Sequence, residues 1–177
     1  GSELWLGAVS LMEAIPAIGL ALLAGAVADK VDIKRFLAIL QGVAALTLLV
    51  LATLLVTENI QIWHILVSAL LLGVLQAFDH PGRNAIFPHL VERQQLIYAV
   101  SLNSIVWPGT RIIGPGLAGI VIDKVGKAAS SPLVGAAAAY YMASVGFILF
   151  GLSLALVRLP AIERTTGRNV VQDIAEG

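Results

Sequence analysis

Apolar residues fill the chain in five long runs that are separated by short polar segments. The runs cover about residues 4–28, 36–57, 59–78, 96–122 and 133–157. The only charged residues inside them are Glu13 in the first run and Arg111 in the fourth. Each run is at least about 20 residues long, which is enough to cross a hydrocarbon core of about 30 Å as a helix. Because no run alternates with period two, the pattern predicts five transmembrane helices and not barrel strands.

Composition favours the same class of protein. Of the 177 residues, 58% are hydrophobic and only 12% are charged, about half of the roughly 25% that soluble domains carry. Too few charges are available to coat a soluble domain, which excludes disordered chains, nucleic-acid binders and most soluble enzymes. The net charge is zero and cysteine is absent, so disulfides and thiolate sites are excluded. The lipid bilayer is the predicted environment.

Lysine and arginine predict the orientation of these helices. Eight of the eleven lie in segments 29–35, 79–95 and 158–177. The outer segments 1–3, 58 and 123–127 hold only Lys124 and Lys127. Positive loops face the cytoplasm, so we expect residue 1 outside and residue 177 in the cytoplasm, in a multi-pass protein of the cytoplasmic (inner) membrane.

The start and the end of the chain suggest a fragment. No initiator Met and no charged signal-peptide region precede the first run. A first span that begins outside needs an earlier helix to carry it there, although a processed or N-out protein is the alternative. We predict a helical bundle over residues 1–158 and the start of a cytoplasmic central loop over 159–177.

Two similar segments occur in opposite predicted orientations. Residues 23–31 read LAGAVADKV and residues 117–125 read LAGIVIDKV, with seven of nine positions identical. The first lies at the predicted cytoplasmic face and the second at the outer face. Inverted repeats of this kind are common in secondary transporters, whereas chance matching among abundant small residues is the alternative.

The first cytoplasmic loop carries a recognisable pattern. Asp29 follows Gly25 at the predicted end of a helix, and basic residues lie next to it. These bases can pair with the aspartate, or they can simply be solvated. The loop resembles the signature G-x-x-x-D-[RK]-x-G-[RK]-[RK] of the major facilitator superfamily, between that family's second and third helices. The resemblance assigns a gating or conformational-switch role to Gly25, Asp29, Lys30, Lys34 and Arg35. Asp32 stands where the pattern has its second glycine, and Ile33 replaces one base.

The fourth apolar run contains glycines and prolines inside a predicted span. Pro108 and Pro115 cannot donate a backbone hydrogen bond, so we expect the helix to kink or loosen there. Pro108, Gly109, Gly116 and Gly119 share one broad face that is suited to tight helix contact. The string resembles the superfamily's antiporter motif G-x-x-x-x-G-P-x-x-G, found in the fifth helix of exporters. The resemblance assigns that motif to Gly109, Gly114, Pro115 and Gly119.

The resemblance extends through essentially the whole chain. Residues 76–91 and 173–177, with Asn103 and Arg111, look like the branch that contains the enterobactin exporter and macrolide-efflux relatives. It implies helices two to six of a protein with about twelve, a partial N-terminal six-helix bundle built from inverted repeats. Many family members carry an arginine four residues before a glycine in helix four. Here that glycine is Gly73 and the arginine position is Ala69, so no proton-linked role is carried over.

Charges inside a span are costly and are therefore candidate working residues. Arg111 shares a polar face with Asn103 and Trp107, where it can bind an anionic substrate or pair with an acid on another helix. Glu13, one turn before Pro16, can carry a proton if burial favours its neutral form, or it can reach the outer interface. The sequence does not decide whether Glu13 and Arg111 meet.

Other chemistry is not supported. Asp79, His80 and His89 match no metal spacing and are interpreted as parts of a cytoplasmic loop, while Trp63 and His64 are interpreted as interfacial. No P-loop, no nucleophile arrangement and no HExxH motif occurs, so we predict no enzyme activity, no metal site and no cofactor.

The leading hypothesis is therefore a secondary transporter of the efflux type. The resemblance implies that it expels a small organic molecule by alternating access, coupled to protons. Its partners are that substrate, protons, the lipid bilayer and the remaining helices of the same transporter, with no nucleic acid. The alternative is a non-transporting membrane scaffold or regulatory subunit, which explains five helices without a fragment.

Overall fold

The computed structural model describes residues 2–28, 31–90 and 95–156, and all regular secondary structure in these ranges is helical. This confirms the predicted all-α class. The helices are α1 (Ser2–Gly19), α2 (Ala21–Ala28), α3 (Ile33–Val56), α4 (Ile62–Leu90), α5 (Leu96–Ala128) and α6 (Pro132–Leu156). Four of them are long and apolar enough to cross a membrane, over Ile33–Val56, Ile62–Asn84, Val100–Ala128 and Pro132–Leu156.

The first predicted span, residues 4–28, corresponds to two helices. The helix α1 ends at Gly19 and α2 begins at Ala21. Backbone hydrogen bonds from Leu20 N to Pro16 O (2.9 Å) and from Ala24 N to Leu20 O (2.8 Å) carry the helical spacing across the junction. The break is therefore local, and the fifth span stays a prediction for α1 and α2 together.

The polar segment that begins at Asp79 is helical, and its interpretation as a loop was wrong. The helix α4 continues through Pro81 to Leu90. A proline inside a helix removes its own amide donor and crowds the carbonyl four residues earlier, but other contacts offset this cost. Asp79 pairs with Arg83 one turn later, with 2.6 Å between Oδ2 and Nε. Gly82 also packs against Leu37 of α3. The ion pair and the α3 contact stabilise the helix through Pro81 and Pro88, the two residues that had favoured a loop.

Neighbouring helices run in opposite directions. Gln41 of α3 contacts Asp79 of α4, and α3 lies antiparallel to α6 because Ala45 meets Ser144 whereas Lys34 meets Ala155. We call the side with the start of α3 and the ends of α4 and α6 the Asp32 end. The opposite side, with the α3–α4 and α5–α6 turns, is the Glu58 end. The described residues of the similar segments 23–31 and 117–125 thus approach opposite ends of the bundle, which is the arrangement that an inverted repeat requires.

The helix α3 is the centre of the described bundle, and small residues bring α6 close to it. Ala52 is 0% exposed, Ala137 is 1% exposed and Ser144 is 0% exposed. The Ser144 Oγ donates to the Ala45 carbonyl over 3.0 Å. In an apolar solvent, helices associate through such close contacts and interhelical hydrogen bonds. The sequence of α6, with small residues every seven positions, encodes this contact.

Both turns at the Glu58 end use the same helix-terminating geometry. Glu58 and Ser130 adopt positive φ values of 56° and 52°. Asn59 N donates to Leu54 O, and Ser131 N donates to Gly126 O, each over 3.0 Å. These are Schellman motifs, which bond the last carbonyls of α3 and α5. They reverse the chain tightly and place α4 beside α3 and α6 beside α5.

Candidate functional site

The candidate substrate residues lie on α5, which projects from the bundle. Its main contact is with α6, and Asn103, Thr110 and Arg111 are all exposed. At about 100° per residue, Asn103, Arg111 and Gly114 fall on one stripe of the helix. The half-buried residues Ala118 and Val125 continue that stripe into the part of α5 that packs on α6. The polar stripe therefore lies on the side of α5 that is turned toward α6.

The antiporter-like motif occupies an open stretch of α5. The helix runs uninterrupted through Pro108 and Pro115, so the expected loosening does not break it. A Cβ built at Gly109, Gly114 or Gly119 has no described atom within 4 Å. The predicted tight contact of this motif is therefore not made by the described helices, and its role stays a prediction.

Glu13 and Arg111 do not meet. Both side chains are exposed, and no ion pair joins them in the part of the chain that the structure describes. The backbone of Glu13 has a different contact: a Cβ built at Gly73 would lie 2.6 Å from its carbonyl oxygen. Gly73 thus allows α1 to approach α4 closely. Ala69, where the superfamily pattern has arginine, is 4% exposed and belongs to the core.

The first loop is divided between described and undescribed residues. Asp29 and Lys30 lie outside the described residues, and Gly25 has no described atom within 4 Å of a built Cβ. Gly25 therefore makes no close helix contact with the described part of the bundle. The predicted gating roles of these three residues stay predictions.

Asp32, which stands where the superfamily pattern has its second glycine, caps the start of α3. It is the N-cap of α3, with φ −67° and ψ 94°, and its carboxylate accepts from Arg35 N over 3.2 Å. The same carboxylate pairs with the Arg35 side chain over 3.3 Å. Because the Arg35 side chain is 86% exposed, solvent screens this ion pair. The hydrogen bond from Arg35 N is therefore the more important contact of the Asp32 carboxylate.

Lys34 is directed at a neighbouring helix. Its Nζ donates to the carbonyl oxygen of Ala155 over 3.1 Å. Ala155 is in the last turn of α6, where backbone carbonyls lack helical partners and carry partial negative charge. This basic residue of the signature loop therefore caps the end of α6.

A polar network that sequence reasoning missed joins three helices near the Asp32 end. Gln41 Nε2 of α3 donates to Asp79 Oδ1 of α4 over 2.6 Å. Asp79 Oδ2 accepts from Arg83 Nε over 2.6 Å. The Arg83 guanidinium lies 4.1 Å from the ring centroid of Phe150 on α6, within the range of a cation–π interaction. The spacing of Asp79 and Arg83, four residues apart, was the available signal.

Two members of the network, Gln41 and Asp79, are largely buried, whereas the Arg83 side chain is 41% exposed. Gln41 is 2% exposed, and the Asp79 side chain is 19% exposed. The Gln41 Oε1 atom is buried and has no hydrogen-bond partner among the described residues. Burying an amide or a carboxylate is costly unless it is hydrogen-bonded, so the contacts of Gln41 and Asp79 constrain how α3 and α4 can separate.

The residues predicted at the outer interface form a helix cap. His64 Nδ1 accepts from Gln61 N over 3.0 Å, and Trp63 Nε1 donates to Gln61 Oε1 over 2.7 Å. The two rings stack with centroids 3.7 Å apart. Residue His64 thus takes the place that Glu or Gln has in a capping box at the start of α4. Within the described ranges, no group of three or more His, Asp or Glu side chains is arranged to hold a metal.

Comparison with known proteins identifies the family. The model of a family described as "Transmembrane secretion effector" matches residues 2–166. The Staphyloferrin A transporter of Staphylococcus aureus (strain NCTC 8325 / PS 47) is 34% identical over 122 residues, which cover 68% of this chain and 31% of that protein. The chain thus matches about a third of that relative's length, and no solved structure matches it significantly. It follows that this chain belongs to the transmembrane secretion effector family of the major facilitator superfamily, whose members are multi-pass membrane transporters and not enzymes.

Proposed function

We propose that the protein containing this chain exports a small organic molecule by alternating access, driven by inward proton flow. Membership of the secretion effector family and the similarity to a siderophore transporter support this proposal. The observation that carries it is the placement of Arg111. This cation lies within the candidate span Val100–Ala128, is exposed, and forms no ion pair with the described residues. A charge inside a membrane needs a partner, and an anionic group of the substrate provides one.

The remaining candidate residues are given roles by the same proposal. Asn103 lies two helical turns before Arg111 on the polar stripe of α5 and orients the substrate. Glu13, whose side chain is exposed on α1, carries the coupled proton. The first loop, with Gly25, Asp29, Lys30, Lys34 and Arg35, stabilises one state of the transporter. The antiporter-like stretch of Gly109, Gly114, Pro115 and Gly119 forms the surface that closes against other helices of the transporter.

The direct test is transport by the intact protein in inverted membrane vesicles. With an acidic lumen, a fluorescent carboxylate siderophore should accumulate in the vesicles, because export in the cell becomes uptake in this geometry. A protonophore should abolish the accumulation, and Asp29→Asn at equal abundance should slow it. Vesicles that accumulate no substrate with or without the proton gradient would contradict the proposed function.

We also propose that the Asp32 end faces the cytoplasm, as the distribution of lysine and arginine indicates. Single cysteines at Thr57 and Gln95 test it, since both positions are exposed. Thr57 follows α3 at the Glu58 end, and Gln95 precedes α5, whose far end is the Glu58 end. A membrane-impermeant maleimide applied to intact cells should label the Thr57→Cys variant and not the Gln95→Cys variant. Permeabilised cells, in which both should react, are the control. Labelling of the Gln95→Cys variant alone in intact cells would show that the Asp32 end faces outward, which contradicts the proposed orientation.

A further inference from the structure

The start of α4 is held by a histidine whose protonation state is fixed by its contact. The backbone N of Gln61 donates to His64 Nδ1, with 3.0 Å between the two nitrogens. A backbone N–H can only donate, so Nδ1 is the acceptor and carries no proton. The ring proton is therefore on Nε2, and the imidazole is neutral. The cap at the start of α4 thus requires an uncharged His64.

Protonation of His64 removes this contact. An imidazolium carries a proton on both ring nitrogens, so Nδ1 and Gln61 N would become two donors that face each other. The new charge would also lie in the first turn of a helix, where the backbone N–H groups already carry partial positive charge. The glutamine that often occupies this position of a capping box keeps its acceptor oxygen at any pH. A histidine there makes the cap depend on pH.

The neighbouring contacts keep the effect of protonation local. Trp63 Nε1 donates to Gln61 Oε1 over 2.7 Å, and the Trp63 ring stacks on His64. An indole face attracts a cation, so neither contact requires a neutral imidazole. Ile60 packs against the buried cluster that contains Ala52 of α3. Because Ile60 holds the α3–α4 turn on the bundle, loss of the cap opens the first turn of α4 and leaves the rest of the helix in place.

Charged residues near the start of α4 come from the adjoining turn and helices. They are Glu58 in the preceding turn, Glu3 and Glu13 of α1, and Asp123, Lys124 and Lys127 at the end of α5. Helices α2 and α6 have none, and those of α3 lie at the Asp32 end. The first charged residue of α4 itself, Asp79, lies about four turns further on. No carboxylate of the described residues forms an ion pair with His64, so the Gln61 contact has no competitor there.

From this geometry we infer that the first turn of α4 is a pH-sensitive cap. It is closed while His64 is neutral and opens when His64 takes up a proton, between about pH 8 and about pH 5, where histidine changes charge. The open turn binds more protons than the closed turn, so a rise in pH favours the closed turn. The cap does not depend on the proposed function. In the proposed orientation it responds to the pH outside the cell.

Hydrogen exchange read by mass spectrometry tests the cap in the intact protein in lipid nanodiscs. Exchange of the peptide over residues 58–66 is measured at the two ends of this pH range and corrected for the intrinsic pH dependence of amide exchange. Its protection should fall about fivefold from the high to the low pH, the ratio that corresponds to a typical cap of about 1 kcal/mol. The α5–α6 turn, which contains no histidine, is the internal control and should not change.

Three variants separate the His64 contact from general effects of pH. His64→Gln keeps an acceptor that is not protonated in this range, so the turn should stay closed at both pH values. His64→Leu removes the acceptor, so the turn should stay open at both. His80→Gln is the matched control, because it removes an exposed histidine at the other end of α4 and should keep the response of the parent protein.

Two results would overturn the inference. The first is a parent protein whose corrected protection over residues 58–66 is the same at both pH values. The second is a His64→Gln variant that responds to pH as strongly as the parent does, since the response would then come from another group. Neither measurement needs a substrate, so failure of the cap is distinguishable from failure of the proposed function.

Discussion

Replacing Arg111 with alanine is expected to reduce transport of an anionic substrate about tenfold or more, through the apparent KM. A charge-assisted hydrogen bond contributes about 1.5–3 kcal/mol, and each 1.4 kcal/mol corresponds to about a tenfold change in affinity. Arg111 is exposed on α5 and forms no ion pair in the described ranges, so its removal leaves no acid of those ranges unpaired. Concentration-dependent uptake into inverted vesicles, at equal protein abundance, measures the effect.

Two variants distinguish substrate binding from a general effect of charge. Lys124→Ala removes an exposed cation from the same helix, near the Glu58 end, and should leave KM unchanged. Arg111→Lys keeps the charge but loses the planar, five-donor fork, and should give an intermediate KM. If Arg111 only pairs with an acid on another helix, Arg111→Ala will lower thermal stability and leave the KM of the folded protein unchanged. That result would remove Arg111 from the proposed binding site.

Replacing Gly135 with alanine should have the largest effect on folding. A Cβ at this position would overlap the Ile122 carbonyl oxygen of α5 and lie 3.0 Å from Gly126 Cα. The overlapping atoms are backbone, which cannot rotate away, so the turn between α5 and α6 must open. Overpacking of this kind costs about 1–3 kcal/mol, against a gain of about 1 kcal/mol from replacing glycine by alanine in a helix. Thermal unfolding in detergent should show lower stability for Gly135→Ala.

Gly146→Ala is the matched control in the same helix. A Cβ built at Gly146 has no described atom within 4 Å, so the helix-propensity gain should appear without a steric cost. The two variants are therefore expected to shift the unfolding temperature in opposite directions. An equal loss of stability in both would show that helix α6 does not pack on α5 as described.

The sequence predicted which segments are helical more accurately than it predicted where each helix ends. Lack of charge over residues 36–57 and 133–157 was sufficient for α3 and α6, because a long apolar run has few stable alternatives to a membrane helix. The same rule ended the third span at Phe78, although α4 continues to Leu90. Charge and proline were interpreted as loop signals there. Asp79 and Arg83 instead satisfy each other on one helical face and stabilise the extension.

The candidate site was predicted residue by residue, but the contacts were not. The polar stripe of α5 followed from helical periodicity, and the binding role of Asn103 and Arg111 stays a prediction. The gating role predicted for Lys34 did not include a hydrogen bond to Ala155, because the two residues are 121 positions apart in the sequence. Nothing in the sequence around either residue indicates that the two are in contact.

The sequence by itself determined the all-α class, the membrane environment and the family, since each depends on composition, on long apolar runs or on short motifs. Only the tertiary structure decided that Gln41, Asp79 and Arg83 join α3, α4 and α6, and that Glu13 and Arg111 remain apart. The physical reason is that membrane helices are selected by local hydropathy. Their mutual contacts depend on which small residues let two backbones approach, as Gly82 does for α3 and Gly135 does for α5.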